Sequence, residues 1–261
     1  MKKHLYIAVL FFLGLGLQTA QAQYAYFPTE GAITYEKTIH IKNLMRRYMN
    51  SLKDGDMSRT YMEQMVSKSP ETAVLERKLS FRGNETYFEP MPREQNQLVS
   101  QMLMMLDNGA KVYQNLEKEQ VSMAMDFGGS AIVVQDSLTD VKWKITNEYR
   151  NIAGYDCRRA NGITLDSVYV VAFYTDQIPT SGGPGSIHGL PGMILGFVVP
   201  EQHFNIYATK VEMTAPTIKT DIFKKKDKPN TRREVKAKMK EVMGQWMTDK
   251  QIDLMMASLF L

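Results

Sequence analysis

Gly189-Leu190-Pro191-Gly192-Met193-Ile194-Leu195 sets two glycines and a proline directly before an apolar run. The residues before it, Pro179-Thr180-Ser181-Gly182-Gly183-Pro184-Gly185-Ser186-Ile187-His188, are nearly all turn formers. Glycine permits positive φ and proline fixes φ near about −65°, so the whole run reads as one shaped loop. Met193-Ile194-Leu195 then re-enters an apolar interior. The loop reads as crossing one end of a sheet.

The flanking sequence supplies that sheet. Val141, Trp143 and Ile145 alternate with Lys142, Lys144 and Thr146, the pattern of a half-buried strand. Val168 to Tyr174 is apolar on both faces and reads as a strand flanked on both sides. Phe204–Thr209 and Val211–Met213 continue the β pattern, and Ile33–Ile41 reads as an opening strand. Two dipeptides read as hairpin turns: Asn161-Gly162 and Gly83-Asn84.

Helical spacing recurs in three places. Asn43–Leu52 and Ser58–Val66 carry Met45, Met49, Leu52, Met62 and Met65 around an Asp54-Gly55-Asp56 turn. Arg93–Leu106 shows a Leu98, Met102, Met105 and Leu106 stripe, with Gly109 just beyond. After the basic linker Lys224–Pro229, Thr231 with Glu234 and Thr248 with Gln251 each fit a capping box. The expected fold is mainly β (α+β): a curved antiparallel sheet or open half-barrel with helical inserts and a helical tail. The expected division is a leader over 1–22, a β domain over 23–222, and a basic linker with helical extension over 223–261.

The leader reading rests on Lys2, Lys3 and His4, the apolar Leu5–Leu17 and a small-x-small site at Ala20-Gln21-Ala22. That is the layout of a secretory signal peptide, and its apolar run is too short for a membrane span. No cysteine lies near the cut, which argues against a lipid anchor. The expected mature start is Gln23, the expected location the periplasm, near or at the outer membrane, and no later transmembrane segment is expected. Lys2 and Lys3 contribute half of the formal net charge of +4, so the exported chain is nearly neutral and nucleic acid is not an expected partner. A single cysteine, Cys157, allows no internal disulfide; it reads as a small buried hydrophobe.

Catalytic patterns are absent from the sequence. Ser186 and His188 lie two apart with no nucleophile elbow and no orienting acid, so no enzyme activity is expected. His40, His188, His203 and Cys157 are the scattered candidates for a metal, against a plainer structural role. Asp54-Gly55-Asp56 opens like a calcium loop, but Met65 stands where the closing carboxylate belongs. Met239, Met243 and Met247 lie at i, i+4 and i+8. Packing explains that spacing; a thioether site for copper is the alternative.

Several blocks carry a family resemblance. They are Trp143-Lys144-Ile145-Thr146, Ile152–Ala160, Val170–Pro179, Gly183-Pro184 and the Gly189–Leu195 run, with Gly31–Glu36 as an opening strand. Together they resemble the GLPGLI family, with Met193 where the naming motif has leucine. That resemblance implies an exported protein of Bacteroidota, of unassigned function, with no catalytic residues attached. The strand order also resembles the LolA/LolB-like carriers, a curved sheet around a helix, as a fold-level analogy only. The expected function is a non-enzymatic binding or accessory protein holding an apolar small molecule, a peptide or an outer-membrane protein segment. Its candidate binding residues are Gly183, Pro184, His188, Gly189, Leu190, Pro191, Gly192 and Met193; no cofactor is expected, copper being the alternative.

Overall fold

The computed structural model describes residues 27–261 apart from 51–56, 93, 95–98, 101–102, 104–106, 108, 128–129, 166, 225 and 246. The leader, the Asp54–Asp56 turn and most of the Arg93–Leu106 helix fall outside these residues. Eleven strands form one antiparallel sheet. In chain order they are β1 (Glu30–Ile39), β2 (Ala73–Arg82), β3 (Glu85–Pro90), β4 (Lys111–Asn115), β5 (Gln120–Phe127), β6 (Ser130–Ser137), β7 (Val141–Ile152), β8 (Tyr155–Thr164), β9 (Val168–Thr175), β10 (Met193–Val199) and β11 (Phe204–Glu212). Among the described residues four helices accompany them: α1 (Ile41–Met49), α2 (Met57–Lys68), α3 (Arg232–Met243) and α4 (Asp249–Phe260).

The strand order is β6-β5-β4-β3-β2-β1-β11-β10-β9-β8-β7. The two edge strands, β6 and β7, are therefore consecutive in sequence. Alternation makes them run the same way, yet only residues 138–140 join them. In a flat sheet they would stand about 48 Å apart, ten spacings of about 4.8 Å. The link reaches at most about 14 Å. The sheet must coil until the end of β6 meets the start of β7, and it does so without closing into a barrel.

The interior is filled by the chain itself. Ile33, Tyr35, Leu79, Phe81, Met193, Ile194, Leu195 and Phe197 are fully buried. Ile252, Met256, Leu259 and Phe260 of α4 join them, as do Val235 and Met239 of α3. The C-terminal segment expected as an extension is thus packed into the core. Both capping boxes form: Thr231 Oγ1 accepts from the Glu234 amide at 3.2 Å, and Thr248 Oγ1 from the Gln251 amide at 3.3 Å.

One hairpin reading holds and one is corrected. Gly83-Asn84 does turn between β2 and β3, with Gly83 at φ +55°. Asn161-Gly162 does not turn; both residues lie inside β8. Gly162 is there for space, since a Cβ would sit 2.6 Å from the Trp143 ring on the neighbouring strand. The turn comes earlier, at Ala153 (φ +51°) and Gly154 (φ +87°). β7 is the second correction. It is an edge strand, and Ile145, expected on the inner side, is 40% exposed.

A buried ion cluster ties the first strands together. Asp107 accepts from Lys37 on β1 at 2.8 Å and from Arg77 on β2, and its carboxylate also takes the Gly109 amide at 3.1 Å. The side chains of Arg77 and Asp107 are 6% and 8% exposed. Burial pushes the Asp107 carboxyl up, but the two cations overcome it and hold it well below the usual carboxylate range.

Two outcomes follow from these contacts. Gly192 sits at φ +142°, where a Cβ would lie 2.1 Å from the Thr175 carbonyl oxygen. Gly192→Ala should combine about 1–3 kcal/mol of backbone strain with a further overpacking cost of about 1–3 kcal/mol. Gly154→Ala, with nothing within 4 Å, should show the strain alone. Equal urea midpoints for the two variants would contradict this. Asp107→Asn should cost about 3–5 kcal/mol by leaving two buried cations uncompensated. Because the folded carboxyl titrates below the unfolded one, its stabilisation is complete above about pH 4 and drains away as pH falls below it. The variant should lose that acid-side slope, measured as unfolding free energy against pH.

Candidate functional site

The Pro179–Leu190 loop is positioned by side chains from distant strands. Thr180 Oγ1 donates to the Gly83 carbonyl at 3.0 Å, pinning the loop to the β2–β3 turn. Gln114 Nε2 on β4 donates to the Gly185 carbonyl at 2.9 Å. Trp143 Nε1 on β7 donates to the His188 carbonyl at 2.9 Å. Ser181 Oγ closes the loop on itself through the Leu190 carbonyl at 2.7 Å. Ile187 and Leu190 point into the core, and the Tyr35 hydroxyl, also buried, donates to the Ile194 carbonyl at 2.7 Å. The loop therefore spans from one half of the coiled sheet to the other.

Its inner side meets the end of α4. Ser186 Oγ donates to the Phe260 carbonyl at 2.7 Å, fully buried. A cavity of about 30 Å³ remains there, between Gly185, the Lys37–Arg77–Asp107 cluster and Ser258–Leu261. That is room for a water molecule. Beneath the loop, Thr86 and Gln114 face each other across β3 and β4, and Thr86 Oγ1 and Gln114 Oε1 are buried with no hydrogen-bond partner among the described residues.

Its outer side forms the wall of a cleft of about 450 Å³. Pro179, Ser181 and His188 line one side. Asn84, the β4–β5 turn at Leu116, Glu117 and Glu119, and the β6–β7 link at Leu138 and Asp140 line the other. Glu117, Glu119 and Asp140 are exposed, so the cleft presents a negative rim. His188 stands within it as a neutral ring. Its Nε2 lies 3.0 Å from the Thr139 carbonyl oxygen, an acceptor, so Nε2 carries the proton and donates. Burial pushes its pKa down, against the raising effect of that bond and of Asp140 and Glu119. The fold resists charging this ring, and protonating it at acid pH costs stability.

The sequence-derived candidates divide accordingly. His188 lines the cleft. Gly183 and Met193 face the interior; a Cβ on Gly183 would lie 2.8 Å from Ile194 Cβ. Leu190 is core, Gly192 meets the backbone of Thr175, and Gly189 lies against the Trp143 ring. Pro191 is exposed and Pro184 buried, as the loop needs them. Ser186 and His188 are engaged with different carbonyls, Phe260 and Thr139, and form no bond with one another. Glu117, Glu119 and Asp140 were missed in the sequence, because two separate segments, the β4–β5 turn and the β6–β7 link, bring them together. Only the Glu117-Lys118-Glu119 turn carried a local hint.

Met239 is buried in the core, with Met243 and Met247 half-buried beside it. Among the described residues no group of three or more His, Cys, Asp or Glu could hold a metal ion. Cys157 is buried, and burial pushes its thiol up to about 12, so it is not a thiolate at neutral pH. No helix of the described residues is long and apolar enough to cross a membrane.

No curated protein matches the chain. Residues 163–196, which hold β9 and the whole glycine–proline loop, match the family model described as a protein of unknown function, Porph_ging.

Proposed function

We propose that this chain is an exported, non-enzymatic binding or accessory protein of the periplasm, and that it holds a peptide or an outer-membrane protein segment in the cleft beside the Pro179–Leu190 loop. The observation that carries this reading is the cleft itself: about 450 Å³, bordered by a rigidly pinned loop and three exposed carboxylates. Loops held on a rigid scaffold are where binding residues concentrate. The negative rim favours a segment bearing lysine or arginine, by charge complementarity. An apolar small molecule has less support, because α4 fills the interior and leaves only about 30 Å³ beside its end. The serine hydroxyls at 181 and 186 each donate to a backbone carbonyl and not to a base, which supports a non-enzymatic reading. The basic, apolar and small-residue order of residues 1–22 supports export.

A photo-crosslinking amino acid at Leu116, on the cleft wall, tests the reading in intact cells. Covalent products with an exported protein are expected there and not from the same amino acid at Tyr61, an exposed position on α2. Glu117→Gln with Glu119→Gln should weaken the yield several-fold, as should raised salt. Equal labelling from both positions, or none from Leu116, would overturn the cleft assignment. A purified chain that still begins at Met1 would overturn the export assignment.

A further inference from the structure

We propose that the free edge of β7 along Val141–Ile145 accepts an added strand from a partner segment with acidic side chains at alternate positions. The two edges of the sheet are treated differently by the chain. The β6 edge is covered along Val133–Gln135: the Asn230 amide donates to the Val133 carbonyl at 2.9 Å, and the Gln135 amide donates to the Asn230 carbonyl at 2.9 Å. β7 pairs with β8 on one side only. An uncovered edge presents a row of backbone donors and acceptors that a further strand can satisfy.

The usable length is set by local structure. Val141–Ile145 pairs with β8 in unbroken register, and the register shifts before Tyr149. That bulge is fastened: Arg158 Nε donates to the Thr146 carbonyl at 2.6 Å and its Nη2 to Asn147 Oδ1 at 2.8 Å. The edge available to a partner is therefore five residues long. Trp143, bonded to the His188 carbonyl, turns inward and fixes which side chains face out. Lys142 and Lys144 share the outer face, opposite Ile163 and Asn161. Both lysines are exposed, and neither forms an ion pair among the described residues. Ile163 and its neighbour across β9, Tyr169, are 51% and 39% exposed.

The occupant follows from this pattern. Opposite charges directly across strands attract, and the strand period of two puts residues i and i+2 on one face. An incoming strand with carboxylates at i and i+2 places one beside each lysine. A second copy of this chain is disfavoured, because antiparallel β7–β7 pairing centred on Trp143 sets Lys142 against Lys144. This edge begins one residue beyond Asp140 of the acidic rim, but the charges it presents are those of Lys142 and Lys144, and it stands whether or not the cleft is used.

The experiment uses the full exported chain with backbone amide NMR. A blocked pentapeptide, valine-glutamate-valine-glutamate-valine, is compared with its lysine counterpart and with anionic phosphatidylglycerol vesicles. The acidic peptide should shift the Val141–Ile145 amides and slow their exchange; the lysine peptide should not. Lys142→Glu with Lys144→Glu should reverse the preference by about tenfold. Unchanged amide positions away from β7 verify that this variant folds. Equal response to both peptides, shifts confined to other regions, or slowed exchange with vesicles alone would overturn the proposal.

Discussion

Everything in this molecule follows from the shortness of residues 138–140. They join the two outermost strands of an eleven-stranded sheet, strands that a flat arrangement would hold far apart. The sheet has no choice but to coil. Coiling creates an inside, and the inside must be filled, because apolar strand faces gain stability only when water is excluded from both surfaces in contact. The chain fills it with its own C-terminal helix.

The glycine–proline loop is the other half of that solution. A coiled sheet has an open end, and the loop closes it by bonding to the β2–β3 turn, to β4, to β7 and to α4. Each of these bonds uses a loop carbonyl or hydroxyl that would otherwise be stranded near the core. Gly192 lets the chain pass against Thr175 so that Met193-Ile194-Leu195 can enter β10. Closing the end inward also makes a wall outward, and the cleft is a by-product of that closure. The motif serves the architecture on its inner side, and its outer side at Pro179, Ser181 and His188 lines the cleft.

Much of the strand content was legible in the sequence because it is local. Alternation at 141–146, the two-faced run at 168–174 and both capping boxes depend on neighbours within a few residues. The tail was legible as helix but not as core, since what covers Val235, Ile252 and Phe260 lies far away in the chain. Asn161-Gly162 misled for an instructive reason. Its turn preference was real, but Trp143 needed a residue without a side chain opposite it, and packing prevailed. The Lys37–Arg77–Asp107 cluster left no local trace, being drawn from β1, β2 and the segment before β4. The acidic rim was hidden for the same reason.

The claim that the sheet is wound around the chain's own helix is tested most directly by ending the chain at Thr248, which removes α4. If α4 is the core, the shortened chain loses its cooperative thermal transition and binds an apolar dye such as anilinonaphthalene sulfonate. If it unfolds at the same temperature as the full chain, with no dye bound, the helix is peripheral and the account is wrong.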